Sequence, residues 1–304
     1  MKKFLTYIGL LSGIITVLYI IGFAISIHSN DVDNIFPRTV KFMTEKHPFS
    51  IIAGSSRAGQ AGDPFSLSIA ENFYNTAFSN THSPFNSAYV NGIKNFTDWN
   101  DSTNRITLIE VNPWTIRTAE NKPENPGEEY FNLYNPEEGY LSLWRIFIND
   151  IGLGKSFRSL FYEDVQKIDE GGRLRVEFDS FWMYNNQSAS LKKKINAYKN
   201  SPEFMRGHVS DYRIKNLEEL IGYGKKHGRV VMLRFPISNE MLEIEDQMHP
   251  GFNREMSEIA GKAGIEYLDL TVWNHRFSTT DGNHIWNTDV PRFSKMLNDS
   301  IKGK

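Results

Sequence analysis

The chain has 304 residues, a formal net charge of −2 and 40% hydrophobic residues. Near-neutral charge argues against a polybasic nucleic-acid surface, and the ordinary apolar content argues against a disordered chain. The lack of any cysteine excludes a disulfide framework, a thiolate metal site and a cysteine nucleophile; it also fits a bacterial envelope protein.

Met1-Lys2-Lys3 leads into an almost unbroken apolar run from Phe4 to Ile27, interrupted by Thr6, Ser12, Thr16 and Ser26 but by no charge. About 20 such residues cross a bilayer. The two lysines precede the run, so the positive-inside rule places the N-terminus in the cytoplasm and the remainder outside. A cleaved signal peptide is the competing reading, but the run is long and ends without a small-x-small cleavage site. Residues 1–28 are therefore expected to be a transmembrane anchor and residues 29–46 a polar linker.

Beyond it, four short apolar runs bounded by polar or turn residues predict buried parallel strands: Phe49 to Ala53, Ile106 to Val111, Val230 to Phe235 and Ile265 to Leu270. Phe73 to Phe78 is a weaker fifth. Tyr212 to His227 and Phe252 to Ala263 carry apolar residues at helical spacing, each followed by a glycine stop, Gly228 or Gly264. Each helix feeds a strand, which argues for an α/β fold with a parallel sheet covered on both faces. Residues 118–207 break the rhythm with Pro123, Pro126 and Pro136, many aromatics and the run Lys192-Lys193-Lys194. They are too long for one crossover and are expected to form an insertion, either a cover over the site or a plain embellishment. The lysine run is expected to be a solvated helix face.

Three motifs carry chemistry. Ile51-Ile52-Ala53-Gly54-Ser55-Ser56-Arg57 reads as a strand ending in a tight turn with a hydroxyl, either a nucleophile or a helix N-cap. Asn112 ends the strand Leu108-Ile109-Glu110-Val111 before Pro113; its amide would face an oxyanion, or its carbonyl would cap its own backbone in an Asx turn. Asp281-Gly282-Asn283-His284 follows the last strand and places a carboxylate three residues before an imidazole, although alone it also reads as a surface turn. Ligands of parallel sheets bind beyond the carboxyl ends of the strands, where all three motifs fall. Arg57 would bind an anionic group or pair locally with a carboxylate, and Glu110 is expected in a buried ion pair. Trp114, Trp273 and Trp286 lie near the site loops, where they would stack on sugar rings or simply pack. The histidines show no metal spacing, so neither metal nor cofactor is expected.

Serine after the first strand, asparagine at a middle strand end and Asp-x-x-His after the last strand resemble the SGNH (GDSL-like) hydrolase superfamily. The resemblance covers residues 47–304 apart from the insertion. It implies a three-layer α/β/α, flavodoxin-like parallel sheet, with Ser56 as nucleophile, His284 as base and Asp281 as its orienter. Asn112, the Ser56 backbone N–H and the Asn80 backbone N–H would form the oxyanion hole. Asn80, in Tyr74-Asn75-Thr76-Ala77-Phe78-Ser79-Asn80, stands where the family usually has glycine. Arg57, Trp114 and Trp286 are candidates for substrate binding. Gly54-Ser55-Ser56-Arg57-Ala58, Arg234-Phe235-Pro236-Ile237-Ser238 and Asp281 to Asn287 are similar to the membrane-anchored envelope branch of that family. This implies a single-pass protein of the bacterial cytoplasmic membrane, acting on acyl groups of an envelope or exopolysaccharide glycan, with a membrane-bound O-acyltransferase as partner. Two readings compete with it: a non-catalytic envelope protein that binds a glycan or membrane partner, and a lipid-directed esterase of the same fold.

Overall fold

The computed structural model describes residues 2–28, 50–70, 72–77, 85–96, 105–119, 122, 124, 138–158 and 166–302. The expected linker and Asn80 lie outside these residues. Helix α1, Lys2–His28, is apolar on every side, and its stretch Lys3–Ser26 is long and apolar enough to cross a membrane.

The globular part begins with β1 (Ser50–Ala53), the short helix α2 (Ser56–Ala61), β2 (Phe73–Asn75), α3 (Ser87–Phe96) and β3 (Arg105–Glu110). A single turn at Pro113–Ile116 leads into β4 (Arg117–Ala119). Then come α4 (Tyr140–Ile146), a π-helical turn (Phe147–Ile151), α5 (Gly152–Arg158), β5 (Gln166–Ile168) and β6 (Leu174–Val176). The long helix α6 (Ser180–Lys199), α7 (Pro202–Arg206) and β7 (Gly207–Val209) follow. The remainder alternates helix and strand: α8 (Asp211–His227), β8 (Gly228–Arg234), α9 (Asn239–Met248), α10 (Phe252–Ala263), β9 (Glu266–Asp269) and α11 (Val290–Lys302).

The central sheet has five strands in the order β2-β1-β3-β8-β9, and every pairing is parallel. Its four expected strands are present with ends shifted by a residue or two. The fifth, β2, is shorter than the sequence run, whose last residue Phe78 lies outside the described residues. Alternate side chains divide between two cores, as a pleated strand requires. Ile51, Ala53, Ile109, Val230 and Met232 pack under α3, α8 and α10. Ile52, Leu108, Val231 and Leu233 face α2 and α11, where Phe293, Leu297 and Ile301 are fully buried. Burial of such a side chain stabilises by about 1.5–3 kcal/mol. With both faces covered, the inner strands read as mostly apolar runs. The order reverses between β1 and β3, so the crevice beyond their carboxyl ends is the topological switch point.

The stretch 118–207 leaves and returns through one antiparallel ribbon, β4 against β7, with Thr118 opposite His208. Its helices α6 and α7 pack through Leu191, Ile195, Tyr198 and Phe204 on a separate small core of Trp114, Ile237, Met241, Ile244 and Met248. Helix α1 packs on α4 and the π-turn, with Phe23 edge-on to Trp144 (5.0 Å) and to Phe147 (5.7 Å).

Candidate active site

The turn after β1 is built by two serines with different tasks. Ser55 is the N-cap of α2: its hydroxyl oxygen accepts from the Arg57 N–H at 3.3 Å. Ser56 is the first helical residue, and its hydroxyl lies 2.9 Å from His284 Nε2. The cap is thus Ser55, and the hydroxyl that meets the imidazole is that of Ser56. Gly54 makes the turn possible. Its φ of +140° suits glycine, and a Cβ there would meet the Glu110 carbonyl oxygen at 2.8 Å. Its N–H donates to the Tyr89 hydroxyl at 3.0 Å.

His284 is presented by a small hairpin. Trp286 N–H donates to the Ser278 carbonyl, Thr279 bridges Ile285, and Thr280 N–H donates to the His284 carbonyl. Asp281, Gly282 and Asn283 form the tip. Gly282 has φ +84°, and an added Cβ would collide with Leu191 of α6. Asp281 accepts from the backbone N–H groups of Asn283 (3.0 Å) and His284 (3.1 Å), which folds its carboxylate back to His284 Nδ1 at 3.0 Å. Burial alone would push this carboxyl up. His284 more than offsets that, helped by Lys194 and the Asn283 N–H, and holds it well below the usual carboxylate range. An ionised Asp281 only accepts hydrogen bonds, so neutral His284 carries its proton on Nδ1 and leaves Nε2 to receive the Ser56 hydroxyl proton. Ser56, His284 and Asp281 thus form one continuous chain of contacts.

The other expected residues take different places. The Asn112 amide nitrogen donates to Glu110 Oε1 (2.7 Å) and to the Ser55 hydroxyl (3.0 Å). Its carbonyl oxygen accepts from Trp114 N–H at 2.9 Å. With both amide hydrogens committed, Asn112 is an Asx cap, the second of its two expected readings, and a brace for Ser55. Glu110 departs from expectation. Instead of a cation it takes the Ser55 N–H and hydroxyl, both at 2.8 Å, and the Asn112 amide. The remaining described candidate donor is the Ser56 backbone N–H, at the first position of a helix whose opening N–H groups lack helical partners.

Arg57 is 2% exposed, so it is not the open substrate anchor that was one of its two expected roles. It pairs locally: its Nε donates to Asn283 Oδ1 at 2.7 Å, and Nη2 pairs with Glu245. Glu245, fully buried, also holds Arg234 at 2.9 Å and the Trp114 indole N–H at 2.9 Å. Burial would raise this carboxyl, but Arg57 and Arg234 hold it below its ordinary value. Trp114 is 7% exposed and lies against Tyr198 with ring centres 4.3 Å apart, so it packs and does not offer a face for stacking. Trp273 also packs, on the core beneath α11. Trp286 stays half-buried beside the hairpin, its indole N–H on the Phe178 carbonyl at 2.9 Å.

Helix α6 lies against the hairpin. Gln187 donates to the Thr279 carbonyl at 2.6 Å, and Lys194 Nζ stands 3.4 Å from Asp281. Lys192 and Lys193 face solvent as expected, whereas Lys194 turns inward to the site.

Sequence reasoning missed Glu245, Asn283 and Lys194. Among the described residues, no group of three or more His, Cys, Asp or Glu side chains is arranged to hold a metal. The chain matches no family model and no curated protein.

Proposed function

We propose that this protein is a membrane-anchored, extracytoplasmic serine esterase or acyltransferase of SGNH type. In this reading it acts on an acyl group, by preference acetyl, of a cell-envelope or exopolysaccharide glycan. The observation that carries the reading is the chain from the Ser56 hydroxyl through His284 to Asp281 at the switch point of a parallel sheet. Helix α1, which opens on Lys2 and Lys3, supports the anchor, with the N-terminus in the cytoplasm of a bacterial inner membrane. A membrane-bound O-acyltransferase is the partner such an enzyme would work beside.

As Ser56 Oγ attacks the ester carbonyl, its proton passes to His284 Nε2, and the carbonyl electron pair moves onto oxygen. The Ser56 backbone N–H is the proposed donor to that oxyanion; one such donor is worth about 3 kcal/mol. Collapse breaks the bond to the leaving alkoxide, which takes the proton from Nε2. The resulting acyl-Ser56 is attacked by water or a sugar hydroxyl, deprotonated by the same nitrogen, and the serine is restored. Esterase and transferase use the same residues and differ only in the acceptor.

A second reading, a glycan-binding or partner-binding protein that kept the fold, is favoured by the commitment of Asn112 to Glu110 and Ser55. Turnover of an acetyl ester by the full chain in detergent micelles separates the two. The full chain is the right material because α1 packs on the folded domain. Loss of turnover in both Ser56→Ala and His284→Ala, with unchanged circular dichroism, is the expected result. Turnover that persists in Ser56→Ala would end the acyl-serine reading.

A further inference from the structure

Helix α1 has a measurable relation to one part of the folded domain. Counting 1.5 Å per residue from Lys3, Tyr19 stands about 24 Å along the axis and Phe23 about 30 Å, close to the thickness of a bilayer's hydrocarbon core. At that level α1 meets the segment 140–158. Phe147 packs on Tyr19 (ring centres 6.2 Å apart) and on Phe23, which also meets Trp144. Gly22 lets Phe147 and Leu153 come close; a Cβ there would lie 2.7 Å from the Leu153 methyl.

The segment has an apolar inner face and a mixed outer face on which exposed Arg145 and Asn149 stand among the apolar side chains. Leu143, Ile146 and Phe147 are buried in the protein. Tyr140, Leu141 and Ile148 point outward and are 60%, 52% and 50% exposed. Outside α1, eight large hydrophobic side chains are exposed among the described residues, and three of them fall within these nine positions. The adjoining charges, Arg145 and Glu138, pair with each other at 2.5 Å, and Arg145 is long enough to keep its head in water.

We infer that α4 and the π-turn lie in the bilayer surface on the side opposite Lys2 and Lys3, with Tyr140, Leu141 and Ile148 against lipid. The argument for lipid as occupant is continuity. The segment is packed on α1 where α1 reaches the edge of the hydrocarbon, and tyrosine and tryptophan favour that depth. The inference rests on the reading of α1 as a membrane span and is independent of the catalytic reading. Its consequence is orientation: the domain is held to the membrane at two places, α1 and this segment, and does not swing on a tether.

The chain has no cysteine, so single labels can be placed without background. Ile148→Cys, Leu141→Cys, Ile14→Cys and Tyr184→Cys would each be made in the full chain, given a nitroxide and reconstituted in phosphatidylcholine–phosphatidylglycerol nanodiscs. Collision with oxygen and with a water-soluble nickel chelate then reports depth. Labels at 148 and 141 are expected to favour oxygen several-fold more than the label at 184, whose parent residue is 91% exposed, and to lie shallower than the label at 14. Labels at 148 and 141 as open to nickel as 184, with 14 still in lipid, would overturn the inference and leave the anchor intact. Nickel access at 14 would overturn the anchor and the inference together.

Discussion

Ser55 and Ser56 are adjacent and chemically identical, yet the fold uses them differently. Ser55 is saturated by Glu110, Asn112 and the Arg57 N–H, whereas the Ser56 hydroxyl meets His284. The dependence on Asp281 can be tested directly. Asp281→Asn is expected to keep the hairpin but lose the acceptor that fixes the imidazole tautomer, lowering kcat by about four orders of magnitude. A decrease below tenfold, read from ester turnover in a folded variant, would remove Asp281 from the proposed mechanism. Ser56, Asp281 and His284 were legible because motif order and strand-end position are sequence properties. The Asx cap of Asn112 was one of its two readings, but its brace to Ser55 was not legible, because it depends on Glu110, whose side chain direction only the folded sheet fixes. Arg57 read as a ligand for substrate or, by preference, as the local partner of a carboxylate, and the sequence left open which one; Asn283 and Glu245 fill that place.

Among the elements, Glu245 of α9 ties together the start of α2 through Arg57, the end of β8 through Arg234, and the turn after β3 through Trp114. Removing the charge while keeping the shape, as in Glu245→Gln, takes from buried Arg57 its paired carboxylate and leaves Arg234 only the longer pairing with Asp246 at 3.7 Å, and should cost about 3–5 kcal/mol. Urea unfolding measures it, and a cost below 1 kcal/mol would show that the cluster does not hold these elements. The pH dependence has a defined sign. The folded-state carboxyl lies below its ordinary value, so its stabilisation is complete above the unfolded value of about 4.3. It is lost as pH falls through the folded value. The wild type should therefore lose stability in acid more steeply than Glu245→Gln. Glu245 was not visible in the sequence because a glutamate in an amphipathic helix reads as solvent-facing. The inner strands were visible because burial on both faces makes most of their residues apolar. Helix α6 was legible only as a helical face at its lysine run, because its packing stripe of Leu191, Ile195 and Tyr198 is short and lies in the second half.

On the scale of the whole molecule, α1 is part of the packing as well as the proposed anchor. Deleting residues 1–28 uncovers the contacts of Phe147, Trp144 and Leu153. Hydrogen exchange should rise across 138–158 and stay slow in β1, β3 and β8. Unchanged exchange in that segment would mean that α1 contributes nothing to its order. The neck formed by β4 and β7 has a further consequence, one of inheritance. Because the stretch 118–207 departs and returns at neighbouring points, its length can drift over generations without disturbing the register of the sheet. Selection then acts on it chiefly where Gln187, Leu191 and Lys194 lean on the histidine hairpin. Related chains should therefore keep that patch and the sheet while differing freely in the rest, so that one chemistry can be carried to many surfaces.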